Sequence, residues 1–139
     1  MQTLSSLIGH TPLVRLEHLD TGESTVYVNL ANLNPSGSIK DVMAWYMLTR
    51  AEKRGELCPG DVILEVTTGN TGIAFAMLAA MRGYRFVAVM PEHMSVERRQ
   101  MMRAFGAEVV LTPKEEDMAG AVRRYESLRD RLAPRVWLP

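Results

Sequence analysis

The feature that most constrains the fold is a run of seven residues, Tyr84-Arg85-Phe86-Val87-Ala88-Val89-Met90, bounded by Gly83 and Pro91. From Phe86 onward no polar residue interrupts it, so the in-out alternation of a half-solvated strand is missing. A strand of this kind has no face to give to water and fits the centre of a parallel sheet covered on both sides. Pro91 ends the strand and Gly83 ends the helix before it. On either side of the run one unit recurs: strand Val62 to Val66, helix Thr71 to Arg82, strand Tyr84 to Met90, helix Ser95 to Phe105, strand Ala107 to Leu111, helix Glu115 to Leu132 and strand Arg135 to Leu138. Ser95 reads as a helix N-cap and Gly106 as a helix end. Strands alternating with helices of this length require right-handed βαβ crossovers. The sequence therefore predicts an α/β fold, a three-layer βα repeat with a mostly parallel sheet and helices on both faces.

Upstream, Gly9-His10-Thr11-Pro12 reads as a turn and Leu13 to Leu16 as a short strand. A polar linker around Asp20 to Ser24 follows, then a second short strand from Val26 to Leu30, expected to be half-buried. A helix is predicted from Ser38 to Arg54, with Ile39, Met43, Tyr46, Met47 and Ala51 recurring at helical spacing as its apolar positions and Gly55 as its C-cap.

Composition narrows the class. A chain of 139 residues, 47% of them hydrophobic, can bury a core in one domain, or one domain with an appendage. Sixteen basic residues balance sixteen acidic ones, so no net field favours nucleic acid or an anionic membrane. The pairs Arg98-Arg99 and Arg123-Arg124 read as solvated helix faces. Cys58 is the one cysteine, and three scattered histidines have no metal-ligand spacing. No apolar stretch is long enough for a membrane-spanning helix and no basic-then-apolar leader opens the chain, so a cytoplasmic protein is expected. The ten methionines read as core filler and helix formers.

Two turns carry the candidate chemistry. Thr67-Thr68-Gly69-Asn70-Thr71-Gly72 joins a predicted strand to a predicted helix. Such a junction leaves backbone N–H groups unpaired and aims them, with the positive end of the helix dipole, at one spot. Three Thr hydroxyls and one Asn amide add donors. The turn reads either as a plain helix cap or as a cradle for a carboxylate or phosphate. Ligands of parallel sheets lie beyond the carboxyl ends of the strands, where this turn falls. It lacks G-x-G-x-x-G, and no G-x-x-x-x-G-K-[ST] occurs, which argues against a nucleotide. The second turn, Asn34-Pro35-Ser36-Gly37-Ser38-Ile39-Lys40-Asp41, sets a lysine in the first turn of a helix. A cation there opposes the macrodipole, which favours the neutral, nucleophilic amine; a solvated surface lysine is the plainer alternative.

Taken together these stretches resemble the cysteine synthase (O-acetylserine sulfhydrylase) family of fold-type II pyridoxal-phosphate enzymes. The resemblance rests on Asn34 to Asp41, on Thr67 to Gly72, on Gly9-His10-Thr11-Pro12-Leu13-Val14, and on Met94-Ser95-Val96-Glu97-Arg98-Arg99 with Ala104-Phe105-Gly106-Ala107-Glu108. Glu115 to Ala121 is most similar to the cysteine synthase B type. The blocks span nearly the whole chain in the family's order. The resemblance implies that Lys40 carries pyridoxal 5'-phosphate covalently and later takes the Cα proton of the amino-acid substrate. It implies that Asn70 hydrogen-bonds the cofactor's 3′-oxygen, and that Thr67, Thr68, Gly69 and Thr71 hold the substrate carboxylate. The implied reaction is β-replacement of the acetyl group of O-acetylserine by a sulfur nucleophile, in a homodimer or an assembly associating through exposed strand faces.

The chain also departs from the family pattern. Asn29-Leu30-Ala31 stands where Lys-Leu-Glu is common, Val42 where Arg is frequent, and Thr68 where serine is usual. Family members are longer, with two α/β domains. The glycine-rich loop that grips the cofactor phosphate and the hydroxyl that meets the pyridine nitrogen would both lie beyond Pro139. The expectation is thus an N-terminal, truncated portion, inactive alone. Residues 1–33 would be leading strands of the larger domain, and residues 34–139 the small α/β domain. Two other functions fit the residues: a stand-alone non-catalytic module binding a partner or an amino-acid carboxylate, and a sister lyase such as cystathionine β-synthase or serine/threonine dehydratase.

Overall fold

The computed structural model describes residues 3–18 and 22–139. The elements are β1 (Leu13–Arg15), β2 (Tyr27–Asn29), α1 (Lys40–Arg54), β3 (Val62–Val66), α2 (Asn70–Arg82), β4 (Arg85–Pro91), α3 (Val96–Ala104), β5 (Glu108–Thr112), α4 (Asp117–Leu132) and β6 (Val136–Trp137). Every predicted strand and helix is present, with ends moved by at most two residues. The helix expected from Glu115 opens instead with a 3₁₀ turn, Lys114–Glu116. The predicted linker around Asp20 lies in part outside the described residues.

Strands β3 to β6 form one parallel sheet in the order β5-β4-β3-β6. The chain steps from β3 to β4 to β5 in one direction and then doubles back to β6. Right-handed crossovers require the returning helix to lie on the opposite face from the first two. The core divides accordingly. Ile63, Phe86, Ala88 and Met90 pack with α2, α1 and Met102 of α3, whereas Val62, Leu64, Val87 and Val89 pack against Ala121 of α4. Successive residues of β3 and β4 thus serve opposite layers, and β4 is buried on both faces as its sequence requires.

Helix α2 is the most enclosed of the helices, with every residue from Gly72 to Ala79 buried. Its Phe75 ring lies 6.2 Å from Phe86 and 6.2 Å, edge-on, from Trp137. Helix α1 packs on α2. Their C-terminal ends are pinned by Arg82, which pairs with Glu52, donates to Thr49 Oγ1 at 2.8 Å and lies 4.1 Å over the Trp45 ring. The Tyr84 hydroxyl donates to the same Glu52 at 3.1 Å.

Two expectations about burial are corrected. The apolar face assigned to α1 was wrong in part: Ile39 and Tyr46 are 63% and 60% exposed, and the buried stripe is Asp41, Ala44, Leu48 and Ala51. Because α1 lies on another helix rather than on the sheet, close approach favours small residues at the contact. Strand β2 was expected to be half-buried, yet all three of its residues are exposed. It pairs antiparallel with β1 in a separate two-stranded ribbon, Leu13 opposite Asn29 and Arg15 opposite Tyr27. Among the described residues no helix is long and apolar enough to cross a membrane.

Candidate active site

The first wall of the site is the turn before α1. The Asn34 carbonyl accepts from Gly37 N–H at 2.8 Å, and Gly37 takes φ +91°, which a residue with a Cβ rarely adopts. Asn34 is buried, donates from its side chain to the Ala31 carbonyl at 2.8 Å and accepts from Gly9 N–H at 2.9 Å. Asp41 is fully buried and accepts from Ser36 twice, from its N–H at 2.7 Å and from its hydroxyl. Ser38 Oγ accepts from Lys40 N–H at 3.2 Å. The turn is therefore held from within by its own polar side chains. Half-buried Lys40 opens the helix, and its ammonium makes no ion pair among the described residues.

The second wall is the turn between β3 and α2. Thr67 is buried, and its Oγ1 accepts from Gly72 N–H at 2.9 Å. Gly72 is required by close approach: a Cβ there would stand 2.4 Å from Thr67 Cγ2 and 2.7 Å from Met102 Sδ. Gly69 is the residue before the helix, and its carbonyl accepts from Ile73 N–H at 3.3 Å. The N–H groups of Thr68, Gly69, Asn70 and Thr71 have no protein partner among the described residues. Four donors at the positive end of a thirteen-residue helix make a cradle for an anion.

The two walls face the same end of the molecule. Glu52 is twelve residues along α1 from Lys40, and Arg82 twelve along α2 from Asn70. Each helix thus runs about 18 Å from its bridged end back to its start. With the far ends joined and α1 packed on α2, both helix starts are directed away from the Glu52–Arg82 bridge, and the start of α2 follows the carboxyl end of β3. The predicted residues lie in these two turns and differ in exposure. Lys40, Thr68, Gly69 and Thr71 are half-buried, Asn70 is exposed, and the Thr67 hydroxyl is already engaged with Gly72.

Sequence reasoning missed two residues beside this turn. Arg98, read as part of a solvated face, is exposed but donates from Nη1 to the Thr68 carbonyl at 3.2 Å. Only the three-dimensional approach of α3 to the turn brings these together, and no spacing in the sequence signals it. Glu65, two residues before Thr67, is a half-buried carboxyl with no partner among the described residues, and burial pushes its pKa up to about 7. A single acidic residue inside an apolar strand was the available signal.

The profile of the family described as "Pyridoxal-phosphate dependent enzyme" matches residues 4–135. Cysteine synthase B of Salmonella typhimurium is 55% identical over 123 residues, 87% of this chain and 40% of that protein. A probable cysteine synthase of Bacillus subtilis is 48% identical over 136 residues, 97% of this chain and 43% of that one. The crystal structure of a hydrogen sulfide-producing enzyme from Fusobacterium nucleatum superposes on all of this chain and 45% of its own, with a TM-score of 0.93 and 40% identity. The chain spans about two-fifths of the length of the curated relatives it matches.

Proposed function

Because the chain belongs to the pyridoxal-phosphate dependent enzyme family, we propose that it is the N-terminal portion of a cysteine synthase. The reaction is β-replacement, in which the Cβ–O bond of O-acetylserine breaks, the acetoxy group leaves as acetate, and a sulfur nucleophile takes its place on Cβ. One observation supports the reading: among the described residues, the Lys40 amine at the start of α1 makes no ion pair, and four N–H groups at the start of α2, the helix on which α1 packs, have no protein partner.

The residues present fit the cofactor. Lys40 offers an amine without a competing carboxylate, and Asn70 an exposed amide free to meet a ring oxygen. Pyridoxal phosphate, when bound, supplies the electron sink for the charge that develops at the substrate Cα. The chain's own residues do the rest. The N–H groups of Thr68 to Thr71 hold the substrate carboxylate, which fixes the Cα–H bond relative to the α1 wall. Lys40 Nζ removes that proton, and the two helix dipoles stabilise the anionic groups brought between them. The leading strands β1 and β2 belong, in this reading, to a larger domain, which supports their exposure here. A cytoplasmic setting accompanies it, in keeping with the free thiol of Cys58.

The chain contains three lysines, Lys40, Lys53 and Lys114, so covalent trapping distinguishes them cleanly. Borohydride reduction with pyridoxal phosphate, followed by peptide mapping, should label Lys40 selectively, with the label lost in Lys40→Ala. Equal labelling of Lys53 and Lys114 would defeat the proposal. Cofactor affinity of these 139 residues alone should be weak, since the phosphate-gripping loop expected of the family is not among them.

A further inference from the structure

We propose that Arg98 is a positioning residue of the carboxylate cradle: it fixes the direction in which the Gly69 N–H points. The inference rests on the function proposed above and adds a residue to its substrate site. Thr67 N–H ties the start of the turn to the Val89 carbonyl at 3.0 Å, and three further tethers hold the turn beyond it. Gly72 N–H is bound to Thr67 Oγ1, the Gly69 carbonyl accepts from Ile73 N–H, and the Thr68 carbonyl accepts from Arg98 Nη1 at 3.2 Å. The first two lock the ends of the turn into α2. Among the described residues, only Arg98 restrains the peptide between Thr68 and Gly69.

That peptide plane decides what the cradle can bind. In a trans peptide the C=O and the following N–H point in opposite directions. With the Thr68 carbonyl drawn toward Arg98, the Gly69 N–H is turned away from α3, and among the described residues no group accepts from it. A reversed plane would place a carbonyl oxygen where an anion is to sit. Glycine tolerates either orientation, so residue 69 alone does not prevent the reversal. A side chain there would crowd the brace itself, since a Cβ on Gly69 would meet Arg98 Nη1 at 3.3 Å.

Helix α3 is fixed firmly enough to act as a brace. Ser95 caps it by accepting from Arg98 N–H at 3.4 Å. One turn beyond Arg98, fully buried Met102 abuts the space beside Gly72. Residues 98 and 102, four apart, thus bear on the same turn at two points. The guanidinium also adds positive charge behind the cradle, an effect that salt can separate from orientation.

The test uses the ¹⁵N-labelled chain, L-serine as the carboxylate probe, and the variants Arg98→Met and Arg98→Lys. Arg98→Met is expected to shift the Gly69 amide resonance while leaving α2 beyond Phe75 unchanged. It should weaken L-serine binding about tenfold, the scale of one charge-assisted hydrogen bond, at low and at high salt alike. Arg98→Lys, which retains a donor, should recover most of the affinity. An unmoved Gly69 amide overturns the proposal, as does a loss of affinity that vanishes in high salt. If the wild-type chain does not bind L-serine but Arg98→Met still moves the Gly69 amide, the bracing stands and the carboxylate reading fails. If the wild type binds and Arg98→Met binds equally, the bracing fails and the carboxylate reading stands.

Discussion

Replacing Glu65 by glutamine should stabilise the protein above neutral pH and leave it unchanged in acid. Glu65 lies within β3 opposite Ala88 of the central strand, and its carboxyl has no hydrogen-bond or ion-pair partner among the described residues. Burial raises its pKa from 4.5 to about 7. The sign follows from proton uptake. Between those two values the native carboxyl is protonated and the unfolded one is not, so folding binds a proton and stability falls as pH rises through that window. A fully buried group shifted this far would cost about 3 kcal/mol once ionised; solvent reaching the half-exposed carboxylate reduces that to about 1–2 kcal/mol. Glutamine keeps the shape without the charge. Urea unfolding of wild type and Glu65→Gln at pH 5 and pH 8 isolates the effect, because every other titrating group is common to both. The variant's advantage should open between the two pH values. The raised phenol pKa of Tyr125, to which the Glu65 charge contributes after burial, should fall partway toward normal in the variant. An equal stability difference at both pH values, or a variant less stable at pH 8, would refute the reasoning.

Other outcomes follow from the packing. Gly72→Ala should lose about 1–3 kcal/mol in denaturant unfolding, because the new methyl meets Thr67 and the buried Met102 with nowhere to move. Asp41→Ala, which strands the Ser36 N–H inside the turn, should cost about 1–3 kcal/mol and weaken Lys40 labelling by pyridoxal phosphate, as read by unfolding and peptide mapping. Phe75→Ala, at the junction of the Phe86 and Trp137 rings, should cost about 3–5 kcal/mol by the same unfolding assay. The exposed ribbon of β1 and β2, with Leu13 65% and Tyr27 55% exposed, should drive concentration-dependent self-association in sedimentation velocity. A single monomeric species across concentrations would contradict that.

What was legible in the sequence was the part governed by periodicity and punctuation. Phe86 to Met90 required two covering layers, and both are there. Gly55 and Gly83 end helices in the left-handed conformation, φ +71° and +76°, as glycines at those places should. Ser95 caps α3 as its position predicted. What stayed hidden depended on the identity of the neighbouring layer. Ile39 and Tyr46 share helical spacing with Met43 and Met47, and only the placement of α1 on α2 selects Ala44, Leu48 and Ala51 as the inner stripe. The ribbon of β1 and β2 shows the same limit, since alternation in Val26 to Leu30 marks a face suited to burial without supplying what covers it. At the site, the two turns were visible as short polar motifs, whereas the Arg98 brace joins residues thirty apart that no local pattern connects.

The distribution of buried polarity ties these observations together. Among the described residues the buried polar side chains are Asn34, Ser36, Ser38, Asp41, Thr67 and Thr112, and all but the last belong to the two turns that flank the candidate site. Buried polar groups are costly unless paired, and these are paired locally: Ser36 to Asp41, Ser38 to Lys40 N–H and Thr67 to Gly72 within their own turns, and Asn34 to the Ala31 carbonyl just upstream. Among the described residues, the same turns leave the Lys40 amine without an ion pair and the N–H groups of residues 68 to 71 without partners. A turn that satisfies its inner groups and withholds its outer ones is rigid before any ligand arrives, so little ordering entropy opposes binding. Stability alone gives no reason for two such turns to open two helices that pack on each other. A shared ligand, anionic on one side and reactive toward an amine on the other, does.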